Sequence, residues 1–338
     1  MAYTHLMTSI LLIAFSQTLL AEPASLSGES FTSPKQTLKM PKGWESKPVA
    51  YGNNIKEADL VISFGQQTYP ALHKLVEQYG KKHNMKIVIQ SGTCGVSAGK
   101  LLRKSLDSGA FCCPPGSRDR LPGLEFHTIA ISSLAIFVNE KNPVESITSR
   151  QARLIFQGKI RNWAELASGK SFDNTIRPHV RLHCKKRPGH WTLLLKKQDQ
   201  FSPILKEVGV IPDLVAKVGQ VSESVSIETP FMINSYKKGP VKMLKIDGHA
   251  PADIDYVASG KYPFYRTYSM TTWSKGGKQR DKTIQLINFL RDHIEKHYQQ
   301  YSLVPISKLK TAGWKFKGDE LIGEPNDKKL AFIPPQYQ

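Results

Sequence analysis

The chain has 338 residues, 40% of them hydrophobic and 22% charged, which excludes a disordered or fibrous chain and leaves room for two domains with separate cores. Its 47 Lys and Arg against 28 Asp and Glu leave a formal charge of +19, a field that draws small anions, acidic polymers or anionic surfaces. The basic residues are scattered and no aromatic-plus-basic motif accompanies them, so no nucleic-acid partner is expected.

Residues 1–21 contain no Asp, Glu, Lys or Arg. The apolar run Ile10 to Phe15 and the small residue Ala21 before Glu22 read as a secretory signal peptide, too short for a membrane span, though it lacks the usual basic start. No cysteine follows the expected cleavage point, so we expect an exported, periplasmic protein without a lipid anchor and without a membrane span in its mature part.

Residues 22–54, rich in Ser, Pro, Lys and Thr and without periodicity, read as a linker. Leu60-Val61-Ile62 predicts a strand, followed by the polar loop Phe64 to Thr68. Pro70 suits a first helical turn, and Ala71, Leu72, Leu75, Val76 and Tyr79 form one apolar stripe at helical spacing. Lys86 to Ile89 is the next strand, and Ser91 to Gly95 a loop opening another helix. The near-continuous apolar run Ile129 to Val138 reads as one buried strand, and Ser149 to Phe156 as a helix closed by Gly158. Val180 to Cys184 reads as a short strand running into a basic loop, and Trp191 to Leu195 as the start of a helix. Ile284, Ile287, Leu290 and Ile294 line one face of a late helix. The Lys-, Gly- and Pro-rich stretch from 306, including all of 311–338, reads as an appended tail. This alternation of strand, loop and helix implies an α/β fold with parallel strands.

Cysteine is confined to Cys94, the pair Cys112-Cys113, and Cys184. In an oxidising compartment an even count suits one or two disulfides, with three connectivities available. A soft-metal site and a redox site are the other readings. No HExxH or P-loop is present, so no enzyme activity is expected.

Three segments in register resemble the phosphate-binding (PstS-like) subfamily of type 2 periplasmic solute-binding proteins. They are Asn142-Pro143-Val144 through Ile155-Phe156-Gln157-Gly158-Lys159-Ile160-Arg161-Asn162-Trp163; Leu244 to Gly248 with Ala250-Pro251, Ser259 to Pro263 and Arg266; and Tyr301 to Pro305. The resemblance covers about residues 58–306. It implies a two-lobed fold, two mixed sheets flanked by helices with a ligand cleft between them. Lobe 1 would be discontinuous, 55–130 and 265–310, and lobe 2 would hold 131–264.

Transferred residue by residue, the resemblance places the anion on loops at helix N-termini. Thr68 and Tyr69 stand in the first loop, and Thr93, Cys94 and Gly95 in the second, where a thiol replaces a hydroxyl. Cys112, counted from Gly109-Ala110, takes an acidic position. Anchored on Gly189, Cys184 takes an arginine position, Pro188 a serine and His190 a threonine. Arg187, with Arg181, Lys185 and Lys186, is then the source of replacement cations. The implied function is capture of phosphate or a phosphate-like anion for an ABC transporter permease. Two alternatives stay open: a soft-metal (Cu or Zn) or thiol-redox protein using Cys94, Cys112, Cys184 and His190, and a sensor or scaffold without transport. Cys113, alternating with Cys112 in extended chain, would point away from the others. Trp163 and Trp191 are candidate cleft aromatics, with core packing favoured for Trp163. His73, His127, His249, His293 and His297 read as ordinary surface or core histidines.

Overall fold

The computed structural model describes residues 31–182, 194–195 and 198–325. The apolar residues from Leu60 start β1 (Leu60–Gly65), in which all six residues are buried. The stripe from Ala71 to Tyr79 is the buried face of α1 (Thr68–Lys82). β2 (Ile87–Gly92) follows, and then α2 (Cys94–Leu102), whose N-cap Thr93 accepts a hydrogen bond from the Val96 N–H. β3 (Ser108–Phe111) completes a parallel trio with β1 in the centre: Gly65 aligns with Gly92, and Ser63 with Gly109. The carboxyl ends of the three strands, and the loops leaving them, therefore lie at one edge.

The apolar run from Ile129 is two strands rather than one. β4 (Leu124–Ser133) and β5 (Ala135–Asn139) meet at Leu134 and enter different sheets. Both are buried throughout this run, so composition shows no break; only the hydrogen-bonding partners change. β6 (Ser146–Ile147) precedes α3 (Ser149–Phe156), which opens with the reciprocal cap of Thr148 and Gln151. β7 (Arg177–Val180) ends at the residue where the expected strand began; Arg181 and Leu182 are outside the ladder, and His183 and Cys184 lie outside the described residues. The expected helix from Trp191 lies largely outside the described residues. β8 (Lys206–Glu207), α4 (Ile211–Gln220), β9 (Ser224–Glu228), α5 (Pro230–Ser235), β10 (Val241–Met243), β11 (Lys245–Ile246) and α6 (Ile254–Ala258) continue the chain. β12 (Tyr265–Trp273) then returns to the first sheet, followed by α7 (Gly277–Tyr301) and β13 (Leu303–Pro305).

Two mixed sheets result. The six-stranded sheet runs β13-β4-β12-β3-β1-β2 and the five-stranded sheet β10-β5-β9-β7-β8. In the second sheet β7 and β9 are parallel, with Arg177 beside Ser224, so their carboxyl ends also share an edge. Ligands of open α/β sheets bind at such edges, where strand order reverses.

Two expectations need correction. The described part of the linker, from residue 31, is strapped onto the first sheet. Leu38 N–H donates to Arg120 O at 2.8 Å, and Ala50 N–H to Lys104 O at 2.9 Å. Trp44 is buried edge-on to Trp273, with Lys104 Nζ 4.6 Å from its ring and 3.5 Å from that of Trp273. The tail is likewise folded through residue 325, as α8 (Ile306–Thr311) and the hairpin β14 (Lys315–Lys317) and β15 (Glu320–Gly323). Leu309, Trp314 and Leu321 join the core of the five-stranded half, and Arg120 forms a buried ion pair with Glu320. Single anchors such as Trp44 and Trp314 have no periodicity, and a polar stretch hides them from a pattern search.

Among the described residues no helix is long and apolar enough to cross a membrane.

Candidate functional site

The edge of the first sheet brings three loops together. An added Cβ at Gly65 would lie 3.3 Å from Cys94 Sγ and 3.9 Å from Thr68 Oγ1, which puts the end of β1 and the first residues of α1 and α2 in contact. Thr68 is buried at the first turn of α1, its hydroxyl donating to Gly65 O at 3.2 Å. Tyr69 is half-buried, its ring stacked on His73 with centroids 4.4 Å apart, so only its backbone belongs to the helix start. Thr93 spends its hydroxyl as the α2 cap, and Gly95 is exposed.

Cys94 and Cys112 are both buried, and their sulfurs are 3.4 Å apart, a hydrogen-bonding contact. The antiparallel register of β12 and β3 explains this position. Ser269 faces Phe111, so the next residue, Cys112, comes level with Tyr268, two residues from Arg266. Arg266 Nη1 donates to Cys112 Sγ at 3.1 Å and to its carbonyl at 3.4 Å. Contacts from Cys113 and Cys94, then the charges of Arg266 and Arg181, hold the Cys112 thiol well below its ordinary range against the opposing effect of burial. The expectation that Cys113 points away is corrected by its contact with Cys112: the chain bends at 112–113, so the alternation of an extended strand does not apply.

Arg266 was legible only as part of a motif, and its role was not. It is 2% exposed, within a strand whose nine residues are all buried. Its Nε and Nη2 have no hydrogen-bond partner among the described residues. A buried guanidinium with two idle donors is costly unless an anion satisfies them. The usable signal was a charged side chain in the otherwise uncharged stretch Tyr262 to Trp273.

The second sheet contributes Arg181 just beyond β7 and Glu228 at the end of β9, their closest charged atoms 3.6 Å apart and both side chains almost fully buried. Arg181 also donates to Gln66 Oε1, and Gln67 Nε2 donates to Glu228 Oε1 at 2.7 Å, so both bonds cross from the second sheet's edge to the first. Gln67 occupies the N-cap of α1 without capping it, because its amide is engaged across the cleft. Burial raises the Glu228 carboxyl above its ordinary value, with Arg181, the Thr229 N–H and Gln67 opposing. Gln66, Gln67 and Glu228 were missed by the sequence reading, since uncharged amides and one glutamate in a strand carry no motif.

Of the expected site residues, Thr68, Cys94 and Cys112 converge on this edge. Cys184, Arg187, Gly189 and His190 lie outside the described residues, as do His183, Lys185, Lys186, Pro188 and Trp191. Trp163 is fully buried with its Nε1 donating to Glu223 O, in the core rather than the cleft. Among the described residues no group of three or more His, Cys, Asp or Glu could hold a metal ion.

Residues 52–292 match the family model described as a PBP superfamily domain. The phosphate-binding protein PstS 2 of Streptococcus agalactiae is 25% identical over 119 residues, 35% of this chain; the matched stretch spans only 41% of that relative. The structure resembles that of an ABC-type phosphate transport receptor from Vibrio cholerae, with TM-score 0.60 and 20% identity over 72% of this chain and 99% of the other. It also resembles an ABC transporter substrate-binding protein of Clostridium perfringens solved with bound phosphate, with TM-score 0.63 and 18% identity over 73% and 98% of the two chains. The parallel-strand edges, the crossing at Leu134 and the family match over residues 52–292 lead to one conclusion: this chain belongs to the PBP superfamily and has the PstS-like type 2 periplasmic-binding-protein fold.

Proposed function

We propose that this protein is an exported solute-binding protein that captures a small oxyanion, phosphate or a phosphate-like anion, between its two sheets and delivers it to an ABC transporter. The observation that carries the reading is Arg266, buried at the cleft edge with Nε and Nη2 idle. A tetrahedral oxyanion supplies paired acceptors for such a fork. The first turns of α1 and α2 add amide donors and favourable helix dipoles from the same side. Arg181 adds a second buried cation from the opposite sheet. The names of the two phosphate-transport relatives above support the same ligand class and the transporter partner.

The test is titration calorimetry of the full mature chain with phosphate, sulfate, arsenate and molybdate at modest salt. Phosphate should bind, and Arg266→Gln should weaken it on the order of 100-fold, because charge-assisted hydrogen bonds contribute roughly 1.5–3 kcal/mol each. A folded protein that takes up none of the four anions would end this reading.

A further inference from the structure

The cleft holds its own anionic groups against the cations that an incoming oxyanion would use. Cys112 Sγ sits 3.1 Å from Arg266 Nη1, and Glu228 sits 3.6 Å from Arg181. One of these internal partners has a chemical means of withdrawing, because Cys94 Sγ lies 3.4 Å from Cys112 Sγ. We propose that Cys94 and Cys112 form a reversible oxidation site whose disulfide frees Arg266 for the ligand, so that the oxidised protein is the tight anion binder. The inference rests on the anion-binding reading above and deepens it with a regulatory step.

The geometry supports a dithiol rather than two structural cysteines. The residues come from separate segments, the first turn of α2 and the bend after β3, so joining them needs only a small approach of two loop ends. Cys94 is the first residue of α2 and Cys112 the residue just after β3, so neither sulfur is carried by the middle of an element. Cys112 has Arg266 and Arg181 as cationic neighbours, the setting that favours the thiolate, the nucleophilic form. Cys94 begins a nine-residue helix, beside backbone N–H groups that have no intrahelical partner.

The oxidant is a small hydroperoxide, since Cys112 is only 7% exposed and a bulky disulfide would not reach it. The Cys112 thiolate attacks one peroxide oxygen; an S–O bond forms, the O–O bond breaks, and hydroxide leaves to be protonated by solvent. Cys94 sulfur then attacks Cys112 sulfur; the S–S bond forms, the S–O bond breaks, and the departing hydroxyl takes the Cys94 proton as water. Two electrons pass from the sulfurs to the peroxide, and a dithiol reductant reverses the change. Before the reaction the Arg266 charge is opposed by a sulfur anion; afterwards the neutral disulfide leaves a buried guanidinium without that partner. In a site of low polarity this loss is compensated by whatever anion enters.

The experiment uses the full mature chain. One portion is reduced and desalted; another is treated with a stoichiometric amount of hydrogen peroxide, quenched with catalase and mapped by peptide mass spectrometry after alkylation. Phosphate affinity is then measured on both by calorimetry. The expected results are a peptide pair linked through Cys94 and Cys112 and an affinity at least about tenfold higher in the oxidised protein. Linkage requires the reciprocal effect: in a dithiothreitol redox buffer, saturating phosphate should raise the disulfide-to-dithiol ratio by the same factor. Cys94→Ser should abolish both the linked peptide and the gain. Equal or weaker phosphate binding after oxidation overturns the switch while leaving anion capture intact, as does a bridge that uses Cys113 or Cys184 instead. Failure of phosphate, sulfate, arsenate and molybdate alike to bind either form overturns both readings.

Discussion

Glu228 is the residue on which pH acts most directly at the cleft. Burial raises its pKa above the ordinary 4.5, so between that value and the raised one the folded protein holds a proton that the unfolded chain has lost. Stability therefore falls as pH rises through this window, the reverse of a salt-bridged carboxylate. Its ionisation also places a negative charge beside Arg181, where it competes with a bound anion. Sulfate, whose charge is constant there, should bind more tightly as pH falls through the window, and Glu228→Gln should flatten that dependence; calorimetry across the range checks both. His179 provides a separate signature. Burial, with Lys217, Lys206 and Arg177 nearby, lowers it from 6.5 to about 4, so the native state excludes a proton that the unfolded state accepts. Its contribution is complete above about 6.5 and is lost as pH falls towards 4, for a total of roughly 3 kcal/mol. Urea denaturation of His179→Gln should show a shallower loss of stability across that interval.

The elements most misjudged by sequence pattern are those fixed by one or two anchors. Trp314 is buried in the core of the second half and donates to Ala258 O at 2.6 Å, which ties α8 and the β14-β15 hairpin to α6. Trp314→Ala should cost about 3–5 kcal/mol by urea denaturation, the range for emptying a buried aromatic site. Arg120 and Glu320 join the first sheet's loops to the same hairpin, with Nη1 to Oε2 at 3.1 Å. Removing one partner leaves a buried charge, so Glu320→Gln should destabilise by about 3 kcal/mol or more, whereas replacing both by apolar residues should cost much less. By contrast α1, α3 and α7 were legible as helices because each buries a stripe at helical spacing. The run from Ile129 to Val138 was legible as buried strand but not as two strands. Hydrophobicity reports burial, and both sides of Leu134 are buried in different sheets.

At the scale of the whole molecule, the Gln67–Glu228 and Arg181–Gln66 bonds hold the edges of the two sheets together. Gln67→Ala should favour a more open form, read as a larger radius of gyration in small-angle scattering of the ligand-free protein, with phosphate reducing the difference. The charge of +19 should make anion association fall with ionic strength, as screening shortens the reach of the field. The α/β alternation could be read from the sequence, because strand and helix periods are local properties, whereas Thr68, Cys94 and Cys112 were singled out only by the family resemblance. The identity of the residues that meet in the cleft could not. Arg266 reaches Cys112 through the β12–β3 register, and Gln67 reaches Glu228 across 161 positions of chain. Sequence order constrains which elements form; only the packing of one sheet edge against another decides which charges are buried together, because that depends on contacts between residues far apart in the chain.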